Sequence, residues 1–173
     1  GLCLLAERGA SQLTIDALCQ AMDRTKGSFY HHFDGFGDFK TGLLQHVEQR
    51  GTLQIIETVE QETTPDAKLQ RLLAIVVENS RQVDCDPEVA LRAWALHDDE
   101  AQAVQQRVDA QRLDYLESLC GTLIADATRA RRSAHLLYAI LVGCEQIHPP
   151  IYGDALRALF DEYLDLYDLP PHA

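Results

Sequence analysis

Apolar side chains recur at intervals of three and four residues along nearly the whole of this 173-residue chain, and no convincing segment alternates with period two. Successive residues of a helix turn by ~100°, so this spacing lines up one apolar face per helix and offers nothing from which to build a half-buried strand. No Asn-Gly or Asp-Gly turn joins two β-branched segments either. The sequence therefore predicts an all-α fold of about nine helices, and the length is ample for a core without disulfides.

No apolar run approaches the ~20 residues of a membrane span, so no membrane partner is expected. Cys3, Cys19, Cys85, Cys120 and Cys144 make an odd count with no CxxC pair. That argues against both a secreted disulfide scaffold and a cysteine zinc cluster, and fits a reduced cytoplasm. The opening GLCLLAERGA has none of the regions of a targeting peptide. Helical spacing of Leu2, Leu5 and Ala6 suggests a first helix whose start precedes Gly1.

Helix length divides the chain. In residues 1–46 the stripes are short: Ile15, Leu18, Cys19 and Met22 follow a Thr14 N-cap, and Phe29 and Phe33 form the next. A fourth helix is expected over about 36–62, ended by Pro65, and a fifth carries Leu69, Leu72, Leu73, Val76, Val77 and Ser80 until the polar segment 85–87. Val89, Ala90, Ala93, Trp94 and His97 share a face of a sixth, closed by the HDDE run at 97–100. A seventh spans about 101–128. An eighth, over 133–147, is apolar on several sides and expected to be buried all round. The ninth, 154–167, carries a wide aromatic-rich stripe, more than a terminal helix easily buries in a small monomer. A helical homodimer interface is thus expected from Leu137, Leu141, Leu156, Leu159, Phe160, Tyr163, Leu164 and Tyr167.

The predicted domains are a small N-terminal unit, 1–46, and a larger one, 47–173. Charge separates them too. The net charge is −12, yet residues 1–50 carry five basic and six acidic groups, so the acidity belongs almost wholly to the remainder.

The informative stretch is LTIDALCQAMDRTKGSFYHHF at Leu13–Phe33. A Thr-capped helix, a tight turn at 22–24 and a second short helix have the layout of a helix-turn-helix, whose second helix enters the DNA major groove. With Phe29 inward, Gly27 and His31 fall on the opposite face, flanked by Ser28 and Tyr30: small or hydrogen-bonding residues without a carboxylate. Glycine inside a helix costs ~0.5–1 kcal/mol relative to alanine, so Gly27 on an exposed face implies close approach of another surface. The Ser28 and Tyr30 hydroxyls, and the helix starts at Thr14 and Thr25, suit phosphates. Lys26 adds a counterion-releasing charge, and His31 can reach a base edge.

Residues 2–46 resemble the DNA-binding domain of the TetR family of bacterial transcriptional regulators. A small residue and a glycine end the first helix, a threonine starts the second, and TKGSFYHHF is similar to that family's recognition helix. The resemblance implies a double-stranded DNA operator, a homodimer and an unknown small-molecule effector held by the C-terminal helices, with Trp94, His97, Cys120 and Tyr138 as candidate effector contacts. It implies no enzymatic activity and no cofactor. The chain departs from the family in having Asp23-Arg24 in the turn, and Phe36 where a lysine usually opens the fourth helix; the resemblance then leaves Lys40, the nearest cation, as the candidate DNA contact there.

Other chemistry finds little support. His31 and His32 point ~100° apart and do not share an ion easily. Cys144 and His148 have a ligating spacing, which keeps a helical metalloenzyme as a third reading, but a buried cysteine explains Cys144 as well. The acidic run 98–100 needs no catalytic role, and neither a phosphate loop nor a dinucleotide fingerprint occurs. The expectation is a ligand-released repressor reading a pseudo-palindromic operator. The alternative is a ligand-binding or protein-adaptor dimer that has lost DNA binding, favoured by Asp23, Phe36 and the acidic charge.

Overall fold

The computed structural model describes residues 1–81 and 87–169. Among them every regular element is helical: α1 (Leu2–Arg8), α2 (Ile15–Ala21), α3 (Lys26–His32), α4 (Phe36–Glu48), α5 (Gln54–Val59), α6 (Pro65–Arg81), α7 (Pro87–Ala95), α8 (Asp99–Leu123), α9 (Ala127–Gln146) and α10 (Gly153–Leu166). A π-helical segment, Gln49–Leu53, joins α4 to α5 without a break in the helical backbone. Counted as one element, residues 36–59 match the single helix that the sequence pattern suggests there, and the described residues then hold the nine helices expected. Cys85 and most of the polar segment around it lie outside the described residues.

Several boundaries differ from the sequence pattern for identifiable reasons. Pro65 opens α6 rather than merely ending the helix before it; at a first helical position its fixed φ fits and its missing N–H costs nothing. The acidic run likewise opens a helix instead of closing one. Asp98 Oδ1 accepts a hydrogen bond from the Ala101 N–H at 3.0 Å, and Asp99 and Glu100 lie in the first turn of α8, where carboxylates suit the helix dipole. Consequently α7 stops at Ala95, and His97 sits in an exposed turn instead of on the apolar face of a sixth helix.

The described chain forms two compact units. One comprises Gly1–Gly51 with residues 87–108, and so extends beyond the segment 1–46. Short helices cannot cover one another's apolar faces alone. Here α7 packs on α1, and Leu91, Trp94, Ala101, Val104 and Val108 close a core begun by Leu4, Leu5, Leu18, Phe29, Phe39 and Leu44.

The other unit comprises residues 52–81 and 109–169. Its core joins Leu69, Leu73 and Val77 of α6 to Leu116 and Cys120 of α8, Ala134 and Leu137 of α9, and Leu156, Phe160 and Leu164 of α10. Inside it the Tyr163 hydroxyl is 2.5 Å from Ser133 Oγ and 3.9 Å from Cys120 Sγ, so the buried polar groups of three helices satisfy one another.

This core corrects the expected dimer surface. Leu137, Leu156, Phe160, Tyr163 and Leu164 are buried within the chain itself; Phe160 is only 1% exposed. Leu141 and Tyr167 are partly buried against the same core. Leu159 alone of that set is exposed, at 39%. Nor is α9 buried all round: Leu136 and Ile147 are exposed and, with Ile140, face Leu159, Glu162 and Leu166 of α10 across an open apolar groove of about 380 Å³. Both helices are apolar over a wider arc than one stripe, and their more aromatic side turned inward.

Candidate nucleic-acid interface

Two threonines start the helices of the Leu13–Phe33 stretch. Thr14 Oγ1 accepts from the Ala17 N–H and Thr25 Oγ1 from the Ser28 N–H, each at 3.2 Å. Each hydroxyl oxygen is thereby committed as a cap, while its own proton remains free to donate to an anion. Between the helices Asp23 adopts φ 50°, the left-handed region an aspartate tolerates, and the Arg24 N–H donates to the Cys19 carbonyl at 2.9 Å. The turn therefore closes with Asp23 in it, and Arg24 is exposed rather than buried.

Phe29 orients α3. It is buried, and its ring lies 5.2 Å from Phe33 and 5.9 Å from Phe39 of α4, an aromatic cluster that fixes the inward side of the helix. The opposite side is open. Gly27, Tyr30 and His31 are exposed, Tyr30 at 57%, and Ser28 is half-buried. A Cβ added at Gly27 would meet only Thr25 Oγ1, at 3.6 Å, which is ordinary contact. The fold itself therefore does not require a glycine there.

The two lysines differ. Lys26 is exposed and pairs with Asp16 of α2 at 2.6 Å; its hydrogen bond to that carboxylate holds the ammonium above its ordinary value. Lys40 is 16% exposed in its side chain and lies 2.6 Å from Asp98 and 3.1 Å from Glu100, above the Trp94 ring. It is enclosed by its own chain, contrary to the phosphate contact expected of it. Burial opposes its charge, but hydrogen bonds to the two carboxylates outweigh burial and raise its pKa.

Sequence reasoning missed Asp16, Asp98 and Glu100. Asp16 left no signal in the spacing, since it lies in the first turn of α2, at the end away from the turn that leads to Lys26. The partners of Lys40 left none either, because they are 58 and more residues away.

The four candidate effector contacts are divided between the two units. Trp94 belongs to the core that contains α3, beneath Lys40, and His97 is exposed. Cys120 and Tyr138 are buried in the other unit's core, where burial pushes the Cys120 thiol up and the Tyr138 hydroxyl donates to Asp109 Oδ1 at 2.5 Å. Cys144 is buried on α9, while His148 is exposed past that helix's end. Among the described residues no group of three or more His, Cys, Asp or Glu is arranged to hold a metal, and no helix is long and apolar enough to cross a membrane.

No protein-family model matches the chain, and no curated protein or solved structure matches it.

Proposed function

We propose that the chain is a DNA-binding transcriptional regulator of the TetR type, acting as a homodimeric repressor that a small-molecule effector releases from a pseudo-palindromic operator. The observation that carries this reading is the exposed side of α3, where Gly27, Tyr30 and His31 stand clear on a helix whose Phe29 side is locked into a core. A helix that only packs has no use for an exposed glycine at that place. A helix that enters a groove does, because phosphate backbone and base edges must come close.

The apolar groove between α9 and α10 supports the dimer, since a second copy would cover Leu136, Ile147, Leu159 and Leu166. Two recognition helices then read half-sites ~34–36 Å apart, and an effector that binds better to a conformation of different spacing lowers DNA affinity. One observation favours the second reading, an adaptor or ligand-binding dimer without DNA: Lys26 and Lys40 are each already paired with carboxylates. Selection of genomic DNA fragments by the chain, with sedimentation to establish its assembly, discriminates the two. Enrichment of a two-fold-related sequence by a dimer is the expected result; no enrichment, or a stable monomer at micromolar concentration, overturns the proposal.

A further inference from the structure

We infer that Lys40 is a positioning residue for the recognition helix: with Asp98 and Glu100 it forms a shielded charged bracket that fixes α4, and through Phe39 fixes the pose in which α3 presents Gly27, Tyr30 and His31. The inference rests on the reading of α3 as the DNA-facing helix.

The bracket has three bonds from two adjacent residues of α4. Lys40 Nζ donates to Asp98 Oδ2 at 2.6 Å and lies 3.1 Å from Glu100 Oε2, while the Thr41 hydroxyl donates to Glu100 Oε1 at 2.7 Å. Its acidic side is anchored, because Asp98 also caps α8 through the Ala101 N–H. Its basic side is shielded, with the ammonium 5.6 Å from the centre of the buried Trp94 ring. A phosphate approaching this ammonium would compete with two carboxylates already 2.6 and 3.1 Å from it. Lys26, whose side chain is 61% exposed, has no such constraint.

What the bracket controls follows from chain order. Phe39 directly precedes Lys40, and its ring lies 5.9 Å from Phe29 and 5.3 Å from Phe33. Rotating or sliding α4 when the bracket opens moves Phe39 against the two rings that set the inward side of α3. The carboxylates of the α7–α8 corner thus act on α3 through Phe39.

The test compares Lys40→Met, Lys40→Arg, Asp98→Asn and Glu100→Gln with the wild-type chain, reading amide hydrogen exchange in the free protein and affinity for a selected DNA fragment across a salt series. Loss of the bracket should speed exchange in α3 and α4 more than in α1. It should also weaken DNA binding by roughly tenfold with an unchanged salt slope, and Lys40→Arg should restore much of the affinity. A salt slope flattened by about one, with α3 exchange unchanged, would make Lys40 a phosphate contact and overturn the inference. Equal loosening of α1, or wild-type behaviour throughout, would overturn it too. If Lys40→Met fails to fold, Asp98→Asn and Glu100→Gln carry the comparison, since both keep the shape and an accepting oxygen. If the wild-type chain selects no DNA, the reading of α3 fails, yet the exchange measurement still decides whether the bracket sets its pose.

Discussion

Lys26 Nζ sits 2.6 Å from Asp16 Oδ1, so the cation at the head of α3 is shared with the first turn of α2. Both side chains are largely exposed, and such a pair exchanges partners easily. A phosphate that takes Lys26 must compete with Asp16 and then lie beside its negative charge. Asp16→Asn should therefore tighten DNA binding at every salt concentration. Lys26→Ala should weaken binding to all sequences alike and flatten the dependence of log affinity on log salt by about one. An Asp16→Asn variant that binds more weakly would place Lys26 away from the backbone.

Gly27 separates packing from docking. Since a Cβ there meets only ordinary contact at 3.6 Å, Gly27→Ala should stabilise the fold by roughly 0.4–1 kcal/mol while lowering DNA affinity. Tyr30→Phe should leave the melting temperature alone and cost binding roughly 0.5–3 kcal/mol, the value of a hydrogen bond to a charged phosphate. Thermal melts and operator titrations measure both, and wild-type affinity in both variants removes this face from the interface.

Leu159 tests the dimer without disturbing the monomer. Exposed at 39% on the groove side of α10, it can accept Leu159→Asp in an isolated chain, whereas an unpaired carboxylate buried between two copies is strongly unfavourable. Sedimentation should show monomer with unchanged helical content. Phe160→Asp should instead unfold the unit built on α6, α9 and α10, because Phe160 fills that unit's own core.

Acid should open the bracket on Lys40. Burial alone would raise the Asp98 pKa, but hydrogen bonds from Lys40, Ala101 and Glu100 outweigh it; at Glu100 the Thr41 hydroxyl is the largest influence, and again the pKa is lowered. Groups depressed in the folded state stabilise it fully above their unfolded values near ~4, and that stabilisation is lost as pH falls through the folded values. The stability gap between wild type and Lys40→Met should accordingly be present at pH 6 and shrink below about pH 4, as followed by hydrogen exchange or melting. A gap independent of pH would mean that Lys40 contributes through its aliphatic stem over Trp94 alone.

What neighbouring residues determine among themselves is legible in the sequence alone. Helix caps depend on one side chain and the N–H groups within a turn of it, so Thr14 and Thr25 announce the starts of α2 and α3. Inward Phe29 and outward Tyr30 follow from spacing, as does the all-α fold. Periodicity says that a face is buried, but not against what. It could not tell that the aromatic stripe of α10 would turn into the chain's own core and leave Leu159 and Leu166 at the surface, nor that α7 would complete the core beneath α3. Least of all could it tell that Lys40 would be enclosed by carboxylates on a distant helix start. Those outcomes depend on which faces meet, and long-range pairing leaves no mark on the local spacing of residues.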